Sequence, residues 1–119
     1  MIDLNNVQSD QLKRISAEAG DAFKLMRKAV ASGPLDEETR ELILLSSFAG
    51  VGFEPSFKVH ALKARMAGIS REKIQHAILI TLGATTALMR VTEAIRWLDD
   101  AEAELGAASK RICRNTYDV

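Results

Sequence analysis

Two side chains in this sequence are set where proton chemistry could be done, a carboxylate and an imidazole on otherwise apolar helical faces. Glu41 shares a face with Leu45 and Phe48 at i, i+4 and i+7, and His60 lies with Phe57, Ala61 and Ala64 at the same kind of spacing. Burying a titratable group costs free energy unless a partner or a function holds it there. On adjacent antiparallel helices joined by a short connection, the two would meet as a proton-transfer pair. The competing readings are a histidine satisfied within the core and a glutamate in a salt bridge or on a solvated helix edge.

Other reactive groups are sparse. Cys113 is the only cysteine, so an internal dithiol–disulfide cycle is excluded. It lies between Arg111 and Arg114 with no resolving thiol and reads as an incidental free thiol. His76 follows Glu72 by one helical turn and reads as an exposed i, i+4 pair. Thr81, Thr85 and Thr86, around Gly83, would either line a cavity or bond back to helix carbonyls. Two histidines and one cysteine show no metal-ligand spacing, and no Gly-rich phosphate loop is present, so neither metal nor cofactor is expected.

The elements that must position Glu41 and His60 are marked by punctuation, two prolines and seven glycines that fall mostly at helix ends. A first helix is expected from Val7 to Ser32, with Ile15, Ala19, Ala22, Phe23, Met26 and Val30 on one face, ended by Gly33-Pro34. Asp36 caps a second helix to Gly50, with Glu37 and Glu38 in its first turn. Its middle, Leu42 to Leu45, is apolar all round and must be covered by its own domain or by another subunit. Glu54-Pro55 opens a third helix that Gly68 closes. Ser70 caps a fourth, with Ile69 and Ile74 as a hydrophobic staple, running to a kink or end at Gly83. A fifth runs from Leu88 to Leu105, with Val91, Ile95, Leu98 and Ala101 on one face and Arg90, Glu93, Arg96, Asp100 and Glu104 opposite. Residues 106–119 have weak periodicity and read as a loose tail. No strand-like alternation of useful length appears, so the expected fold is all-α, one domain over residues 1–119 with about five helices. Excess apolar helix surface points to a homo-oligomer.

Composition bounds the function. The chain is 47% hydrophobic and 27% charged, ordinary for a folded globular protein. Sixteen basic and sixteen acidic residues cancel, leaving no net field to draw nucleic acid or an anionic membrane. The N-terminus lacks the basic and apolar regions of a signal peptide, and the longest apolar run, Ala77 to Ala84, is far short of the roughly 20 residues of a membrane span. With a single thiol, a cytoplasmic protein is expected.

The stretch Leu35-Asp36-Glu37-Glu38-Thr39-Arg40-Glu41-Leu42, His60, and Gly68-Ile69-Ser70-Arg71-Glu72-Lys73-Ile74 resembles the carboxymuconolactone decarboxylase and alkylhydroperoxidase D-like family over residues 32–98. In the peroxidase-like branch a glutamate is followed by a cysteine twelve positions on, a second cysteine three further and a histidine four beyond. Glu41 and His60 match the outer frame, whereas Phe53 and Ser56 stand at the cysteine positions and Glu54-Pro55 fills the place of a further histidine. Peroxide reduction needs a thiolate, so that activity is disfavoured. The decarboxylase branch also lacks the cysteine pair and works without metal or organic cofactor. That resemblance implies His60 as the acid–base group, with Glu41 or Glu54 setting its tautomer, and Phe53, Ser56 and Phe57 at the substrate pocket. Arg65 or Arg90 would be available to a substrate carboxylate, against a plainer reading of both as solvated surface residues. The expectation is decarboxylase or isomerase chemistry on a small carboxylated molecule, by a dimer, trimer or hexamer. A non-catalytic ligand-binding or assembly module is the alternative, which the bulk of Phe53 would favour if its ring filled the pocket.

Overall fold

Each of three helices begins where a short polar side chain caps it. The Ser16 hydroxyl accepts from the Ala19 N–H at 3.1 Å, the Asp36 carboxylate from Thr39 at 2.7 Å, and the Ser70 hydroxyl from Lys73 at 3.2 Å. The Thr39 hydrogen bonds hold the Asp36 carboxyl below its ordinary value of 3.8. In the computed structural model, which describes residue 2 and residues 8–117 with side chains to 107, six helices follow in order. They are α1 (Gln8–Ile15), α2 (Ala17–Ala31), α3 (Glu37–Val51), α4 (Glu54–Met66), α5 (Arg71–Leu79) and α6 (Leu88–Tyr117). Among the described residues there is no strand, only an isolated bridge between Leu82 and Thr86 in the α5–α6 connection. Among the described residues, no helix is long and apolar enough to cross a membrane.

Three boundaries differ from expectation. The first helix is two, because Ser16 takes an extended backbone (φ −149°, ψ 111°) and its hydroxyl starts α2 afresh. Helices α1 and α2 then approach so closely at Gly20 that a β-carbon there would lie 2.7 Å from Lys13 Cα. Helix α5 stops at Leu79, four residues before Gly83, and α6 continues beyond Leu105 to Tyr117. The looseness expected of residues 106–119 rests on side chains that from 108 onward lie outside the described ones.

The core is built by α3 to α6. Phe57, Leu45, Ile74, Ile78 and Leu98 are fully buried, joined by small residues that let helices approach, Ala49, Ala61, Ala64, Ala94 and Ala101. Ile69 and Ile74, on either side of the Ser70 cap, are both buried in this cluster. Phe57 of α4 packs on Trp97 of α6 with ring centroids 5.7 Å apart. Outside this contact Lys58 bridges to Asp100 at 3.0 Å, and Arg65 pairs with Glu102. No α1 or α2 side chain enters the core, and in α2 only Gly20 is buried.

Candidate functional site

Helix α3 ends on Gly52, whose left-handed φ of 79° turns the chain and lets α4 begin two residues later. Helix α4 returns alongside α3 and brings His60 Nδ1 to 3.0 Å from Glu41 Oε2. Both side chains are half-buried, at 31% and 24% exposure. An ionised carboxylate only accepts, so a neutral imidazole facing it would carry its proton on Nδ1 and present the Nε2 lone pair as a base. The Phe48 ring, tilted by 45° with its centroid 5.1 Å away, supports the imidazole.

His60 lines a cavity of about 520 Å³, within the range of small-molecule sites. Its walls come from α3 (Leu44, Phe48), from the corner and first turns of α4 (Phe53, Pro55, Ser56, Val59) and from the N-terminal hairpin (Gln8, Ser9, Phe23, Met26, Arg27). Glu41 is not part of the wall and acts on the cavity only through His60. Phe53 is 57% exposed and packs against Phe48 at 6.5 Å, so the ring over His60 is that of Phe48. Phe53 and Ser56 both line the cavity.

Other residues singled out in the sequence lie elsewhere. Glu54 pairs with Lys58 at 2.9 Å, a hydrogen bond that with Asp100 raises the Lys58 pKa, and it does not line the cavity. Phe57 is fully buried against Trp97, because the register that puts Ser56 and His60 on the cavity side turns position 57 into the core. Arg65 is held by Glu102 and donates to the Ile69 carbonyl at 2.9 Å. The Arg90 guanidinium lies over Gly52 and near Glu93. Thr81 bonds back to the Ile78 carbonyl at 2.7 Å, Thr86 is buried beside Gly50, and neither they nor Thr85 reach the cavity. His76 is exposed. The Cys113 side chain lies outside the described residues.

The hairpin wall was not anticipated. Phe23 and Met26 follow the periodicity of a core-facing stripe, and only the break at Ser16 brings them over α3 and α4 with Arg27 beside them. Among the described residues no three His, Cys, Asp or Glu side chains are grouped so as to hold a metal ion.

The model of the Carboxymuconolactone decarboxylase family matches residues 17–100. No curated protein and no solved structure matches the chain.

Proposed function

The chain belongs to the carboxymuconolactone decarboxylase family, and we propose that it is an acid–base enzyme acting on a small carboxylated molecule by decarboxylation or isomerisation. The observation that carries this reading is the 3.0 Å contact between His60 Nδ1 and Glu41 Oε2, made by an imidazole that also lines a cavity. Glu41 fixes the tautomer, so Nε2 is the atom that exchanges protons with substrate. In a decarboxylation the bond to the carboxyl carbon breaks, carbon dioxide leaves, and the electron pair stays on the neighbouring carbon. Protonated His60 then delivers its Nε2 proton to that carbon and becomes neutral. In an isomerisation His60 takes a proton from one carbon and returns it to another.

His60→Gln should lower turnover of a lactone acid by about 10²- to 10⁴-fold, the usual contribution of a positioned proton-transfer group, with the helical circular dichroism unchanged. Turnover at the wild-type rate would remove the proposal. Peroxidase chemistry is not part of it, since the cavity holds Phe53 and Ser56 at the two positions where a reactive cysteine pair would stand. The alternative is a ligand-binding module of the same fold. The placement of Phe48 rather than Phe53 against His60 favours the enzyme, because the Phe53 position leaves the cavity open. Saturable binding of lactone acids without any turnover would favour the module.

The same reading includes self-association. Ile15 is 86% exposed and Ile80 65%, and Ile43, in the middle of α3, is half-exposed, so part of the all-round apolar face of that helix is left for another subunit to cover. Sedimentation as a single chain at micromolar concentration would rule this out.

A further inference from the structure

Among the described residues, the cavity is lined by one guanidinium and no carboxylate. Arg27, on α2, lines it together with His60, and no described aspartate or glutamate does. Two other cations of the hairpin are paired away from the cavity, Lys24 with Asp10 at 2.6 Å and Lys13 with Asp21 at 3.2 Å, and Lys28, beside Arg27 in sequence, does not line it. Arg27 has no hydrogen bond or ion pair of this kind among the described residues. The remaining wall is chiefly apolar, with Phe23, Met26 and Phe48 next to the arginine and the histidine. A charge facing such a wall is screened less than one in open water and interacts more strongly with an anion that enters. A guanidinium presents a planar fork of donors that matches a carboxylate by two parallel hydrogen bonds.

We propose that Arg27 is the anchor for a carboxylate of the ligand, holding a singly charged acid with an apolar body between α2 and the His60 wall. The inference deepens the acid–base reading by naming the residue that selects the substrate class, and it rests on that reading only for what happens after binding. One fixed cation suits one carboxylate, and the aromatic and methionine side chains suit a hydrocarbon body. The structure also accounts for why Arg65 and Arg90 do not serve. The first is engaged by Glu102 and Ile69, the second sits over Gly52, and neither lines the cavity. Because α2 carries the arginine while α4 carries the histidine, both groups meet the ligand only when the hairpin lies against α3 and α4.

The test is a titration of the full-length ¹⁵N-labelled protein followed by amide chemical shifts, with benzoate, its uncharged analogue benzamide and inorganic phosphate as probes. Benzoate is expected to bind saturably, with shifts concentrated around Phe23, Phe48 and His60. Arg27→Gln should weaken it about tenfold or more, the loss expected for a charge-assisted hydrogen bond, and Arg27→Lys should recover part of the affinity. Benzamide should bind more weakly than benzoate and be indifferent to Arg27→Gln. An unchanged spectrum outside the cavity shows that each variant is folded. Equal benzoate affinity in wild type and Arg27→Gln, or no benzoate binding, overturns the inference. So does phosphate binding as tightly as benzoate, which would make the site a general anion site. The two readings fail separately. If benzoate binding depends on Arg27 but no lactone acid is turned over, the enzyme reading falls and the anchor stands. If turnover depends on His60 but benzoate ignores Arg27, the anchor falls alone.

Discussion

Glu41 and His60 are 19 residues apart and meet at 3.0 Å, and at the scale of single residues this contact separates two roles. His60 is in the wall of the cavity and Glu41 is not, so in the proposed reaction the glutamate acts through the imidazole as a positioning residue. Glu41→Gln keeps an acceptor for Nδ1–H but removes the charge, and should lower kcat by roughly 10- to 100-fold, the scale of losing a partner that orients an imidazole. KM should change little, because Glu41 does not touch the ligand. A rise in KM with kcat intact would show that the pair serves binding or stability instead. This part of the site was legible from spacing, since each residue is a titratable group on an apolar face. Arg27 was not legible, because an arginine among the exposed residues of an amphipathic helix is ordinary. Glu54 and Phe57 mark the same limit from the other direction. They neighbour the cavity residues in sequence, yet one step of about 100° along a helix sends Phe57 into the core, and Glu54 finds its partner one turn on in Lys58.

Among the elements, the hairpin of α1 and α2 decides whether the cavity has its third wall. Gln8, Ser9, Phe23, Met26 and Arg27 all belong to it, and its two helices touch through Gly20, where an added β-carbon would meet the backbone of Lys13 at 2.7 Å. Backbone cannot yield as a flexible side chain does, so Gly20→Val must push α1 away from α2. The expected result is weaker benzoate binding with a small change in the midpoint of cooperative unfolding, because the core lies in α3 to α6. Titration and urea unfolding of the same variant measure both. A variant that unfolds globally, or binds as wild type does, contradicts this division of labour. Capping residues such as Asp36 and Ser70 identified the helix starts correctly, because their side-chain preferences are local, whereas the end of α3 falls on Gly52 and not on the expected Gly50. The break at Ser16 was hidden because the apolar period of the first segment continues across it, and periodicity carries more weight than one serine. The α6 extension to Tyr117 was hidden for the opposite reason, a run of residues with little period at all.

For the molecule as a whole, the burial is uneven. Helices α3 to α6 and the residues joining them supply every buried hydrophobic residue of the core, yet large apolar side chains are left exposed on the same helices and on the hairpin. Five of them fall within one stretch, Leu79, Ile80, Leu82, Leu88 and Met89, which spans the end of α5, its connection and the start of α6. None of these five is part of the core or the cavity wall, so their exposure serves neither packing nor the site. Covering such surface gains roughly 25 cal/mol per Å², which is how an oligomer forms without altering the fold of its subunit. Placing charge there opposes association through the cost of burying an unpaired ammonium, whereas in a monomer it costs almost nothing. Ile80→Lys combined with Leu88→Lys should therefore shift sedimentation from an assembly to a single chain while helix content stays at the wild-type level. If the wild type sediments as an assembly and the double variant does too, the subunits meet elsewhere, and the exposed hairpin residues Ile15, Leu25 and Val30 become the surface to charge next.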